Sequence, residues 1–191
     1  MKKAFLVLLV IGFGFWGCSE NTSLTEPTKI ESQRSFLKVS SVQSSLLKES
    51  DVSKEIDGER GGIVFLNLQS EDEEYGAKGW IYFPRNSFEG VEVISATIND
   101  DVAAIDFEPG GLVFDKPARL TLKFSGLKFD DDDDDEHDDH ESDGEIDFQF
   151  INENGDLETV DYRRLIINKH AGWAIVVNAE INHFSRYGFT K

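Results

Sequence analysis

The sequence predicts an all-β fold, an antiparallel sandwich of about eight strands. Three observations lead there. From Lys54 onward the chain breaks into short apolar runs separated by Gly, Asn, Asp and Pro, the pattern of strands joined by turns. No long apolar repeat at helical spacing interrupts them. Fifteen of the 191 residues are Phe, seven of them between Phe83 and Phe148, which suits an aromatic core between two sheets.

The strands are expected at Gly62–Leu68, Gly79–Phe83, Val91–Ile98, Ala103–Phe107, Ala118–Phe124, Ile146–Ile151, Tyr162–Ile167 and Ala174–Ile181. Ala118, Leu120, Leu122 and Phe124 alternate with Arg119, Thr121 and Lys123, so one face of that strand is buried and the other polar. Asn154-Gly155 reads as a type I′ hairpin turn, whose two central positions need positive φ. Pro109-Gly110-Gly111 reads as a turn, and Lys116-Pro117 as the opening of the next strand, where a missing N–H is tolerated. Trp80 and Trp173 lie in strands beside glycines and read as core residues rather than as a sugar-stacking platform.

Upstream of the strands the chain is organised for export. Lys2 and Lys3 precede an apolar run from Ala4 to Trp16, followed by Gly17 and Cys18, the only cysteine. The run is thirteen residues long, short of the ~20 that a membrane-spanning helix needs. Residues 1–17 therefore read as a bacterial lipoprotein signal peptide, with cleavage before Cys18 and lipid on its sulfur. Phe15 and Trp16 stand where such signals usually carry Leu and a small residue. Ser19 after the cysteine favours the outer membrane, periplasmic or surface face. Residues 18–52 read as lipidated cysteine and tether, with 36–49 spaced either for a short helix or for a disordered extension. The module proper is expected over 53–191, with an acidic loop at 130–145.

Charge narrows the partners. The formal net charge is −18, and loss of Lys2 and Lys3 with the signal makes the mature chain more negative still. Such a surface argues against nucleic acid and anionic lipid headgroups, and favours cations or a basic partner. A single cysteine leaves no disulfide within the chain, so stability must come from packing or bound ions.

Several segments carry a resemblance. Gly61-Gly62 precedes a strand, Ile81-Tyr82-Phe83-Pro84 is followed by Ser87-Phe88, and Phe107-Glu108-Pro109-Gly110-Gly111-Leu112-Val113-Phe114-Asp115-Lys116-Pro117 forms the middle. His183-Phe184-Ser185-Arg186-Tyr187 closes the chain. In this order the segments resemble bacterial relatives of the β-sandwich module of ankyrins and netrin receptors, over about residues 53–189. Arg85-Asn86 departs from the family's usual Pro-x-Gly turn. The resemblance implies a structural and interaction module without catalytic residues, in which Pro109, Phe114, Pro117, His183, Phe184, Ser185 and Tyr187 are structural. A tyrosine at such a corner commonly fixes the last strand by a hydrogen bond to the backbone.

Candidate sites are few. From Asp130 to Asp147, thirteen of eighteen residues are carboxylates, and such a run reads as a solvated loop. Within it Asp139, Glu141, Asp143 and Asp147 stand at Ca²⁺-loop spacing around Gly144, although Phe150 occupies the place of the bidentate Glu. Diffuse attraction of divalent ions is the competing reading. His137 and His140 would give at best a weak transition-metal site. Asp72, Glu73 and Glu74 read as an exposed hairpin loop rather than a glycosidase pair. Ser185 and His183 lack a nucleophile elbow and read as structural. The sequence thus points to a non-enzymatic cell-envelope lipoprotein with a binding or scaffold module, modulated by Ca²⁺. Its expected partners are the membrane through the lipid, divalent cations, and an envelope protein or surface polymer. The alternative is a divalent-cation binder whose acidic loop is the functional site.

Overall fold

The structure is a computed structural model that describes residues 34–39, 52–69, 75–99, 101–129, 145–152 and 154–191. Eleven strands are formed among these residues: β1 (Val52–Asp57), β2 (Gly62–Gln69), β3 (Gly76–Phe83), β4 (Val91–Ile98), β5 (Ala104–Glu108), β6 (Val113–Ser125), β7 (Asp147–Ile151), β8 (Leu157–Thr159), β9 (Arg164–Asn168), β10 (Trp173–His183) and β11 (Arg186–Thr190). They make two antiparallel sheets packed as a sandwich, ordered β1-β4-β5-β11-β7-β8 and β2-β3-β6-β10-β9.

The strands beyond the expected eight are those with little apolar signal. β1 shows only Ile56 fully to the core while Ser53, Lys54 and Glu55 are exposed, as befits an edge strand. β8 is three residues long, also at an edge. β11 contains Gly188, where a Cβ would lie 2.4 Å from the Ala103 carbonyl oxygen and 2.9 Å from the Phe36 ring. Only glycine allows that approach, and it hides the strand from a propensity reading.

Two turns differ from expectation. The β7–β8 hairpin exists, but the Gly155 N–H donates to the Asn152 carbonyl at 3.0 Å, so the tight turn runs from 152 to 155. Gly155, the residue that closes it, takes φ +87°, as in longer hairpin loops where glycine takes the left-handed position. Asn152 Oδ1 accepts from the N–H groups of Asn154 and Asp156, both at 2.9 Å, and fixes this register in place of type I′. Pro117 lies inside β6 instead of opening it. Its missing N–H coincides with a register break against β10 between Ile181 and His183. The Pro109-Gly110-Gly111 turn forms as expected, closed by the Leu112 N–H on the Pro109 carbonyl at 3.2 Å.

Residues 34–39 correct the reading of 36–49 as helix or disordered extension, because 36–39 are extended and paired. Phe36 bridges Thr190, Lys38 bridges Val102 and Val39 bridges Leu127. The Leu37 N–H donates to Phe189 O at 2.8 Å and the Ala103 N–H donates to Leu37 O at 2.7 Å. Leu37 and Val39 are core residues. Residues 40–49 lie outside the described residues.

The core is aromatic. Phe184 stacks on Phe107 with centroids 5.2 Å apart and meets Phe114 edge-on at 5.0 Å and Phe83 edge-on at 6.1 Å. Phe148, Phe189 and Phe124 form a second chain of contacts toward the opposite end of the strands. The closing His-Phe-Ser-Arg-Tyr segment holds this arrangement: the Tyr187 hydroxyl donates to the His183 carbonyl at 2.6 Å, the Ser185 hydroxyl to Ile151 O at 2.6 Å, and Arg186 pairs with Asp106 across β11 and β5. Burial pushes the Tyr187 phenol well above its ordinary range. Burial and the hydrogen bond to the Asp147 carboxylate push Tyr162 up to about 12.

Both shifts give a signed prediction. A raised tyrosine pKa means the folded state holds the proton more tightly, so this stabilisation is complete below the unfolded value of about 10 and is lost as pH rises through the folded one. Chemical denaturation followed from pH 9 to 12 should show stability falling steeply above pH 10. Tyr187→Phe should lower stability at pH 7 by about 1 kcal/mol through the unmet carbonyl and flatten the alkaline slope. An unchanged slope in that variant would contradict the account.

Candidate functional site

The outward face of the five-stranded sheet has an unusual composition. In β2, Val64, Leu66 and Leu68 point inward and Ile63, Phe65 and Asn67 outward; in β3, Ala77, Ile81 and Phe83 are buried and Lys78, Trp80 and Tyr82 exposed. Phe65 is 68% exposed, Trp80 44%, Tyr82 43% and Ile63 37%. Their register makes them one surface: Phe65 lies opposite Trp80 and Ile63 opposite Tyr82. The core expectation for Trp80 is therefore overturned. β3 is apolar on both faces, and period-two alternation alone does not say which set meets the core. Trp173 is half-buried with the Lys123 ammonium 5.0 Å from its ring centroid.

The next strands add cations. Tyr82 lies opposite Arg119, Trp80 opposite Thr121 and Lys78 opposite Lys123. Arg119 is ion-paired with Glu180 of β10, its cross-strand neighbour. The ladder between β6 and β10 slips between Val176 and Ala179, where Asn178 takes φ +53° and its N–H donates to Thr121 Oγ1 at 3.1 Å. Residues 161–163 then run beside β10: the Glu180 N–H donates to Asp161 O at 2.7 Å and the Arg163 N–H to Val177 O at 3.0 Å.

These elements wall an open groove of about 530 Å³, with Ile63, Trp80 and Tyr82 on one side and Asp161, Arg163 and Asn178 on the other, and Arg119 and Glu180 between. It crosses the strands, from β2 to the segment beside β10. At about 4.8 Å per strand spacing that is roughly 20 Å, the reach of an extended chain rather than of a compact small molecule. The floor of the groove carries both signs, Arg119 beside Glu180, whereas the sheet surface next to it is basic. The outward residues of β2, β3 and the central part of β6 include Lys78, Arg119 and Lys123 and no carboxylate, in a chain with 37 acidic and 19 basic residues.

The residues singled out from the sequence fall elsewhere. Cys18, Asp139, Glu141 and Asp143 lie outside the described residues, as do His137, His140 and residues 72–74. Asp147 is described and engaged: its Oδ2 pairs with Arg34 at 3.2 Å, and its Oδ1 accepts from Tyr162 at 2.9 Å and from the Phe148 N–H at 2.7 Å. Among the described residues no three His, Cys, Asp or Glu side chains gather where they would hold a metal. His183 and Ser185 share a second open groove of about 580 Å³ with Phe150 and Glu158. There Ser185 donates to the Ile151 carbonyl and the His183 ring meets Phe150 edge-on at 4.9 Å, an arrangement for packing. Phe114 and Phe184 are core, Tyr187 is the corner hydrogen bond, and Pro109 and Pro117 sit in the turn and the strand break.

The aromatic and basic residues of the groove went unsingled in the sequence reading, apart from Trp80. The available signal was the pair Trp80-Tyr82 alternating with Ile81-Phe83, which gives a strand more apolar surface than one core face needs. No protein-family model and no curated protein matches the chain.

Proposed function

We propose that the chain is a non-enzymatic, lipid-anchored binding module of the bacterial cell envelope, and that its contact surface is the outer face of the five-stranded sheet. The observation that carries the reading is the patch Ile63, Phe65, Trp80 and Tyr82, four large side chains exposed together on neighbouring strands. Single exposed apolar residues are ordinary, whereas a contiguous patch rimmed by charge marks a contact surface. Trp, Tyr and Arg are the side chains that most often anchor interfaces. In this reading the Cys18 lipid holds the module at the membrane and the polar tether lets the face reach its partner. The resemblance to the ankyrin and netrin-receptor module supports the same class of role, interaction without catalysis.

The test is co-sedimentation of purified chain with an envelope preparation from the producing cells. Wild type should sediment with it. Phe65→Ser/Trp80→Ser should remain in the supernatant while melting within a few degrees of wild type, since both side chains are exposed. Equal sedimentation of the two would remove this face from the function.

A further inference from the structure

We propose that the groove across the five-stranded sheet takes a neutral, unbranched polysaccharide, its sugar rings lying on Trp80 and Tyr82 and its hydroxyls meeting Asp161, Arg163 and Asn178. This rests on the binding reading above and names the partner's chemistry.

The balance of charge argues for an uncharged occupant. The lining sets Arg119 and Arg163 against Glu180 and Asp161, and Arg119 is already paired with Glu180. A polyanion would meet both carboxylates and a polycation both guanidinium groups, so neither gains from the groove as a whole. A wholly apolar occupant would cover these groups and return no hydrogen bond for the water it displaces. A second copy is opposed by the net charge of −18, because two strongly negative bodies would have to approach each other.

The polar groups are placed for hydroxyls. Asp161 and Arg163 are exposed, two residues apart on the segment beside β10, and among the described residues neither side chain is ion-paired. The carboxylate only accepts and the guanidinium only donates. Neighbouring sugar hydroxyls, each both donor and acceptor, can meet the two together. Asn178 adds an amide of both characters. The slip in the β6–β10 ladder lies between Val176 and Ala179, which are both buried, and the extra residue of this bulge brings Asn178 out to the groove. Its backbone holds φ +53°, a left-handed conformation that asparagine tolerates better than most residues. Trp80 and Tyr82, on the same side of β3, offer flat, half-exposed rings that suit the apolar C–H face of a sugar. Aromatic faces at one end and hydroxyl partners at the other, across the strands, match a short run of an extended glycan.

The experiment is binding of the full purified chain, in EDTA, to immobilised mixed-linkage β-glucan, glucomannan, dextran and polygalacturonate. Binding to at least one of the three neutral polymers and not to polygalacturonate is expected, with little change as salt is raised, since the ligand carries no charge. Trp80→Ala should weaken it roughly tenfold, the loss typical of a central aromatic anchor. Asn178→Gly, which keeps the left-handed backbone and removes only the amide, should weaken it roughly fivefold, about one hydrogen bond. Val93→Ser, an exposed position on the other sheet, should leave binding unchanged and serves as the folding control. Equal or tighter binding to polygalacturonate, or affinity that falls steeply with salt, would mean that charge governs the groove and overturns the proposal. So does glycan binding that neither Trp80→Ala nor Asn178→Gly alters, and so does dimerisation in sedimentation velocity that Trp80→Ala abolishes. Binding to no polymer, with Trp80-dependent co-sedimentation retained, overturns only the sugar assignment and points to a protein partner. Loss of both overturns the binding reading as well.

Discussion

Phe184→Ala is expected to destabilise the sandwich by about 3–5 kcal/mol, the range for a fully buried phenylalanine. Phe184 touches Phe83 of β3, Phe107 of β5 and Phe114 of β6, strands drawn from both sheets. Truncation leaves a cavity bounded by three rigid rings that cannot collapse into it, and it removes aromatic pairs that each contribute about 0.5–1.5 kcal/mol beyond area burial. Its backbone is fixed at the same time, since the Phe184 N–H donates to Leu112 O at 2.8 Å and its carbonyl accepts from the Gly111 N–H at 3.2 Å. The Pro109-Gly110-Gly111 turn should therefore loosen together with the core. Urea denaturation reads the effect, and Phe184→Leu should recover roughly half of it because most of the volume returns. A loss below about 1 kcal/mol would mean the rings do not form the centre of the fold.

Leu37→Asp is expected to cost at least about 3 kcal/mol, since it removes a buried leucine and places a carboxylate where no partner is available. The expectation is notable because residue 37 precedes the first strand by fifteen positions and reads in sequence as tether. The segment bonds to Phe189 O and the Ala103 N–H through Leu37 and to the Lys128 N–H through Lys38. It thus joins the end of β11 to the chain that follows β6, one from each sheet. Thermal denaturation should show a drop on the order of 10 °C for a chain of this size, whereas Lys38→Asp, at an exposed position, should change little. Equal behaviour of the two would return 34–39 to the tether.

Fold class was legible because strands with one buried face announce themselves. Ala118, Leu120, Leu122 and Phe124 are all buried, as their alternation requires, while Arg119 and Lys123 between them reach solvent and Thr121 is covered, its hydroxyl accepting from the Asn178 N–H. The strands that escaped notice lacked that signature. β1 is an edge strand with Lys54 reaching across to the Ile63 carbonyl at 2.7 Å, and its polar residues are there to cover an edge. β11 is built around a glycine needed for close approach. Segment 36–39 has apolar spacing compatible with a helix, and what makes it extended is pairing with Thr190, Val102 and Leu127, partners remote in sequence. The site was less legible than the fold. Trp80 could be assigned to either face, and the neighbourhood of Phe65, Tyr82, Arg119 and Arg163 exists only once register joins four strands and the segment beside β10. The acidic run stood out in sequence because it is contiguous; the groove is dispersed over a hundred positions and does not.

The most direct test of the central claim is covalent side-chain footprinting of the purified chain alone and with the envelope preparation that sediments it. Trp80, Tyr82 and Phe65 are exposed enough to be labelled in the free chain. On binding, labelling of these three should fall severalfold while Val91 and Val93, exposed on the other sheet, keep theirs. Unchanged labelling of Trp80 and Tyr82 in the bound chain would contradict the assignment of the contact surface to this face.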